Sequence, residues 1–73
     1  MFITKPSFYE RTMQDSEEIK AIPALLTAPD GTTENGTAVF TGRKLVMTLT
    51  EYGAWKLADQ LADAIEKNRS NAA

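Results

Sequence analysis

Thr37-Ala38-Val39-Phe40-Thr41-Gly42-Arg43-Lys44-Leu45-Val46-Met47-Thr48 is the stretch on which the fold of this chain turns. It is rich in Thr, Val and Phe, residue types that fit a pleated, half-buried surface. It is broken once, by Gly42-Arg43. A two-residue loop with Gly in first place suits a type II′ turn. In that register Thr41 pairs with Lys44, Phe40 with Leu45, Val39 with Val46 and Ala38 with Met47. One face then carries Ala38, Phe40, Leu45 and Met47, and the other carries Val39, Thr41, Lys44 and Val46. The first face is apolar throughout and the second is polar around a valine pair. The pattern therefore predicts a hairpin rather than one long strand with a glycine bulge.

Working outward, the segment that follows reads as an amphipathic helix over residues 49–68. Leu49, Ala54, Leu57, Ala58, Leu61, Ala62 and Ile65 recur at steps of three and four, with Lys56, Asp59, Gln60, Asp63 and Lys67 on the opposite side. Thr48-Leu49-Thr50-Glu51 has the Thr-x-x-Glu spacing of a capping box. Gly53 costs about 1 kcal/mol against Ala in a helix interior, and its early position would allow close packing. Residues 69–73 are expected to fray.

Upstream, Ile19 to Ala28 is a third strand candidate with apolar residues on both parities. Pro23 removes a ladder donor and places it at an edge. Pro29-Asp30-Gly31 and Glu34-Asn35-Gly36 are turn signals, enclosing a mobile loop of about eight residues. Residues 1–18 read as an N-terminal arm. Met1 to Thr4 suit a short strand, Ser7-Phe8-Tyr9-Glu10 has capping-box spacing for a helical turn or two, and Gln14 to Glu18 reads as a connector. The whole is expected to be a single small α+β domain over residues 1–73. Its antiparallel sheet of about three strands, over residues 19–49, packs on one C-terminal amphipathic helix.

Composition limits the chemistry. Of 73 residues 42 % are hydrophobic, but ten of these are Ala, so few bulky side chains remain to build a core. A chain of this size buries roughly 60 % of the surface its unfolded form exposes, and its stability is marginal. With no Cys and no His, disulfides, thiolate nucleophiles, Cys/His zinc sites and Ser-His or Cys-His pairs are excluded. No apolar run approaches the ~18 residues of a membrane helix, and no charged-then-apolar leader opens the chain. The net charge of −2 lacks the basic stripe usual in nucleic-acid binders.

Candidate constellations give little catalytic promise. Asp59 and Asp63 lie four apart on the polar helix face, as a solvated pair would. General acid–base work needs a carboxylate in a low-dielectric pocket, for which this chain has little material. The 30–36 segment places oxygen-bearing side chains around glycines but lacks the ligand spacing of a calcium loop. Phosphate-binding glycine motifs are missing. No catalytic residue, cofactor or metal is therefore expected. Arg43 and Lys44 at the hairpin tip would be the natural phosphate contacts of a small DNA-binding regulator. Against that, the C-terminal helix shows Asp59, Asp63 and Glu66 beside its lysines.

Protein interaction is the remaining class. With Leu57 at 0° on a helical wheel, Ala54, Ala58, Leu61 and Ile65 fall between about 40° and 100°, Trp55 near about 160° and Tyr52 near about 220°. Trp55 and Tyr52 thus flank the stripe. Val39 and Val46 lie on the second sheet face, which one helix cannot cover as well as the first. Phe2, Ile3, Phe8 and Tyr9 must cover that face, or a partner must. The candidate partner-binding residues are accordingly Phe8, Tyr9, Val39, Arg43, Lys44, Val46, Tyr52 and Trp55. The partner is a host protein or a second copy of the chain, a homodimer closing the uncovered sheet face; nucleic acid and membrane are not expected as partners.

Residues 42–50 (Gly-Arg-Lys-Leu-Val-Met-Thr-Leu-Thr) followed by 57–65 (Leu-Ala-Asp-Gln-Leu-Ala-Asp-Ala-Ile) resemble the hairpin-then-helix endings of small uncharacterised proteins from actinobacteria and their phages. The resemblance covers under half of the chain and carries no catalytic residue. It implies a bacterial cytoplasm and a phage or accessory protein that binds and blocks a host protein, such as a defence nuclease.

Overall fold

In the computed structural model of the chain, which describes residues 2–72, β2 (Thr33–Thr41) lies between β1 (Ile19–Thr27) and β3 (Lys44–Thr50) in a three-stranded antiparallel sheet. A 3₁₀ turn, Pro6–Phe8, leads into α1 (Tyr9–Glu18), and α2 (Glu51–Ala72) follows β3 directly. This is the α+β arrangement, antiparallel sheet plus C-terminal helix, that the sequence predicts. Pro23 sits in edge strand β1 opposite Thr37, where its missing N–H leaves the sheet intact.

The hairpin turns at Gly42-Arg43 as expected. Gly42 has φ +63° while Arg43 keeps a negative φ, the combination of a type II′ turn. Thr41 faces Lys44 and Phe40 faces Leu45. Beyond them the expected register fails. A bulge between Val39 and Phe40 takes up Val46, so Val39 faces Met47 and Ala38 faces Thr48. Met47 therefore joins Val39 instead of Ala38, and the valine pair is not formed. An extra residue in one strand leaves the alternation of side chains intact on either side while shifting the partner strand by one.

Four further features differ from the sequence reading. Glu34-Asn35-Gly36 is not a turn but part of β2, and the loop shortens to residues 28–32. Its own hydrogen bonds close it. The Ala28 amide donates to the Thr32 carbonyl (2.8 Å) and the Gly31 amide to the Ala28 carbonyl (2.9 Å), with Gly31 at φ +90°. Gln14 to Glu18 belong to α1, not to a connector. The Ser7 capping box does not form, since Phe8 is the N-cap and no side chain caps the helix. Residues 2–4 are irregular rather than a strand, and Met1 lies outside the described residues.

At the other end, Leu49 and Thr50 belong to β3, and the cap of α2 is Thr50, not Thr48. Its Oγ1 accepts a hydrogen bond from the Gly53 amide at 3.1 Å, satisfying a free donor of the first turn. The helix continues to Ala72, past the expected fraying point; Ala73 lies outside the described residues.

Packing is where the molecule departs most from a small globular domain. Among the described residues Ala38, 7 % exposed, is the only buried hydrophobic one. Gly53, Ala54 and Leu57 are half-covered, whereas every residue from Ala58 to Ser70 is exposed. The helix thus meets the sheet only through its first two turns. Every residue of α1 is exposed too.

Candidate functional site

The expected partner-binding residues fall in three separate places. Tyr52 and Trp55 stand one turn apart on α2, 72 % and 68 % exposed. Trp55 borders an open cleft in which Ala54 and Glu51 of the helix meet Ala21 and Pro23 of β1 and Thr37 of β2. The helix reaches this position because Thr50 caps it where β3 ends; Gly53 lies over Leu49 with room for a side chain. A Cβ added to Gly53 would lie 3.6 Å from Leu49 Cδ2 and 3.4 Å from Thr50 Oγ1.

Arg43 and Lys44 form the second place, at the hairpin tip, together with Val46, the residue the bulge takes up. Lys44, Leu45 and Val46 line a groove with Arg11 and Asp15 of α1. The Gly42 amide donates to the Glu18 carbonyl at 3.1 Å, which docks the end of α1 against the turn. It brings the Glu18 carboxylate close as well, 3.1 Å from where a Cβ on Gly42 would stand. The two cations at the tip therefore have acidic neighbours on α1, which lowers the local attraction for a phosphate.

Phe8 and Tyr9 make the third place, at the start of α1. Phe8 gathers with Phe2 and Ile3, and all three are exposed, as is Tyr9. They do not cover the sheet, contrary to one of the two expectations for them. Val39 stands apart from all three groups, half-covered at the middle of β2 opposite Met47.

Leu61 and Ile65 belong to the apolar stripe that the sequence predicts for the helix, yet they are 56 % and 54 % exposed. They share the helix stripe of Ala54 and Leu57 but lie beyond the sheet. Length alone does not separate the two groups: Ile65 stands about 21 Å along the helix from Glu51, within the ~24 Å that the seven-residue β3 spans. The direction in which the helix leaves the sheet separates them, and no local signal carries it.

Asp30 is the titratable group with a clear perturbation. Its Oδ1 accepts from the Thr32 hydroxyl (2.7 Å) and the Thr32 amide (3.0 Å). The hydroxyl bond first, and the amide bond second, hold its carboxyl below the ordinary carboxylate range. It is fully exposed and forms a loop clasp. Among the described residues no three Asp or Glu side chains gather where they would hold a metal ion, and no helix is long and apolar enough to cross a membrane. What the arrangement offers is apolar and aromatic surface.

Comparison of the chain with protein-family models, curated proteins and solved structures finds no match.

Proposed function

We propose that the chain is a non-enzymatic protein-interaction module that acts by occluding or bridging the surface of another protein. The observation that carries this reading is the exposure of Trp55 beside the Ala21–Pro23–Thr37 cleft, with Tyr52 exposed one helical turn away. Large, stiff aromatic side chains at the edge of an apolar cleft are typical anchors of protein interfaces. The resemblance to hairpin-then-helix proteins of actinobacteria and their phages supplies a setting in which a small blocking protein acts on a bacterial host protein. The DNA-binding alternative rests on Arg43 and Lys44 with Arg11 of α1 beside them, and Asp15 and Glu18 of the same helix offset that charge.

The test is capture of a target on the immobilised intact chain and on two variants, Trp55→Ala and Arg43→Ala/Lys44→Ala. A specific host protein retained by the wild type and the tip variant, and lost with Trp55→Ala, supports the module. Retention of nucleic acid instead, falling steeply with salt and lost in the tip variant, overturns it.

A further inference from the structure

The single chain carries far more surface than its mass accounts for. Its accessible area is 6659 Å², whereas a folded monomer of 8.0 kDa has about 4,500 Å². Its radius of gyration is 15.5 Å, against about 11 Å for a compact chain of this length. The excess, about 2,200 Å² per chain, doubles to about 4,400 Å² in a pair, which lies within the range of obligate homodimers. A marginal contact needs far less.

Part of the surplus belongs to the exposed N-terminal residues and α1; the rest lies in two features that complement one another. One is the part of α2 beyond Leu57, where Leu61 and Ile65 continue, fully in line, the stripe whose Ala54 and Leu57 are already half-covered by the chain's own sheet. The other is the sheet face on which α2 begins, where Leu25 and Met47, of one parity with Thr37 and Leu49, are exposed. An isolated helical segment of this size is marginal in water, so the projecting turns need an apolar surface to lie against. From Ala58 to Ser70 they span about 20 Å, which fits within the ~24 Å of β3, the shortest strand. Each copy thus lacks what the other holds, a cover for its sheet and a seat for its helix. A two-fold pair supplies both at once, because an isologous contact repeats itself. The net charge of −2 puts little repulsion in its way.

We infer that the folded unit of this protein is an obligate homodimer in which the projecting half of α2 from each copy covers the sheet of the other. This goes beyond the interaction reading and leaves Tyr52 and Trp55, on the flank of the stripe, for a further partner.

The test uses the intact chain and a Leu61→Glu/Ile65→Glu variant, with Asp63→Ala on the polar helix face as control. Light scattering is expected to give twice the chain mass, and the melting temperature is expected to rise with protein concentration. In the double variant the dimer is expected to be lost and cooperative unfolding with it, while Asp63→Ala keeps both. In mixed labelled and unlabelled chains, Leu61 and Ile65 methyl groups are expected to show intermolecular contacts with Leu25 or Met47. A monomer with cooperative, concentration-independent melting overturns the inference. So does a double variant that folds and dimerises like the wild type, or a dimer whose only intermolecular contacts join helix to helix. None of these outcomes bears on target capture through Trp55, so the two proposals fail separately.

Discussion

Thr50 fixes the start of α2 by accepting, at Oγ1, a 3.1 Å hydrogen bond from the amide of Gly53. Strand β3 ends at this junction, and the helix that outruns the sheet begins there. Replacing a hydroxyl N-cap by Ala costs about 1 kcal/mol. Thr50→Ala is therefore expected to lower the unfolding free energy by about that amount, while Thr50→Ser leaves it nearly unchanged. Denaturant titration at fixed protein concentration checks both; equal loss in the two variants would show that the hydroxyl does not act as the cap.

Gly36 lies where β2 meets both neighbours most closely. A Cβ there would stand 2.5 Å from the Leu49 carbonyl oxygen and 2.7 Å from Leu26 Cδ1. The Leu26 side chain can turn away, but the Leu49 backbone belongs to the β3 ladder and cannot. Gly36→Ala is expected to destabilise by about 1–3 kcal/mol, the usual cost of overpacking. A denaturation midpoint equal to wild type would refute the close approach.

Gly42 takes φ +63° at the hairpin tip, a left-handed conformation that costs a residue with a Cβ about 1 kcal/mol or more. Gly42→Val is expected to destabilise by more than Gly42→Asn, because Asn tolerates this region and a β-branched side chain does not. Equal melting temperatures for the two variants would argue against the turn.

The Asp30 clasp predicts a pH effect with a definite sign. The carboxylate is held below its ordinary range in the folded chain, so its contribution to stability is present above the unfolded value and is lost as pH falls through the folded one. Thr32→Val removes the hydroxyl bond and is expected to move the Asp30 titration, followed by NMR, back toward the ordinary range. An unmoved titration would assign the shift to the backbone instead.

The sheet, its turn and its C-terminal helix are legible in the residues because their causes are local. Gly42 marks a turn by its freedom at positive φ, Pro23 marks an edge by its missing donor, and the three- and four-residue steps from Ala54 to Ile65 mark a helix. The local signals misled where two readings compete over a few residues. Glu34-Asn35-Gly36 has turn composition but pairs with Leu26, Leu25 and Ala24 of β1, and the ladder outweighs a turn preference worth a few tenths of a kcal/mol. Thr48 and Thr50 both offer a hydroxyl cap, and only the end of the β3 pairing selects Thr50.

By itself the sequence determined the antiparallel sheet, its hairpin turn, the C-terminal helix and the exclusion of cysteine and histidine chemistry. The tertiary structure alone decided the bulge at Val46, the register that places Met47 opposite Val39, and which part of the helix stripe is covered. Periodicity identifies an apolar face but not what lies against it, since covering a surface depends on the relative lengths and directions of elements distant in sequence. Ala54 and Leu57 meet the sheet while Leu61 and Ile65 pass beyond it, and that difference turns an ordinary core stripe into a surface awaiting a second chain.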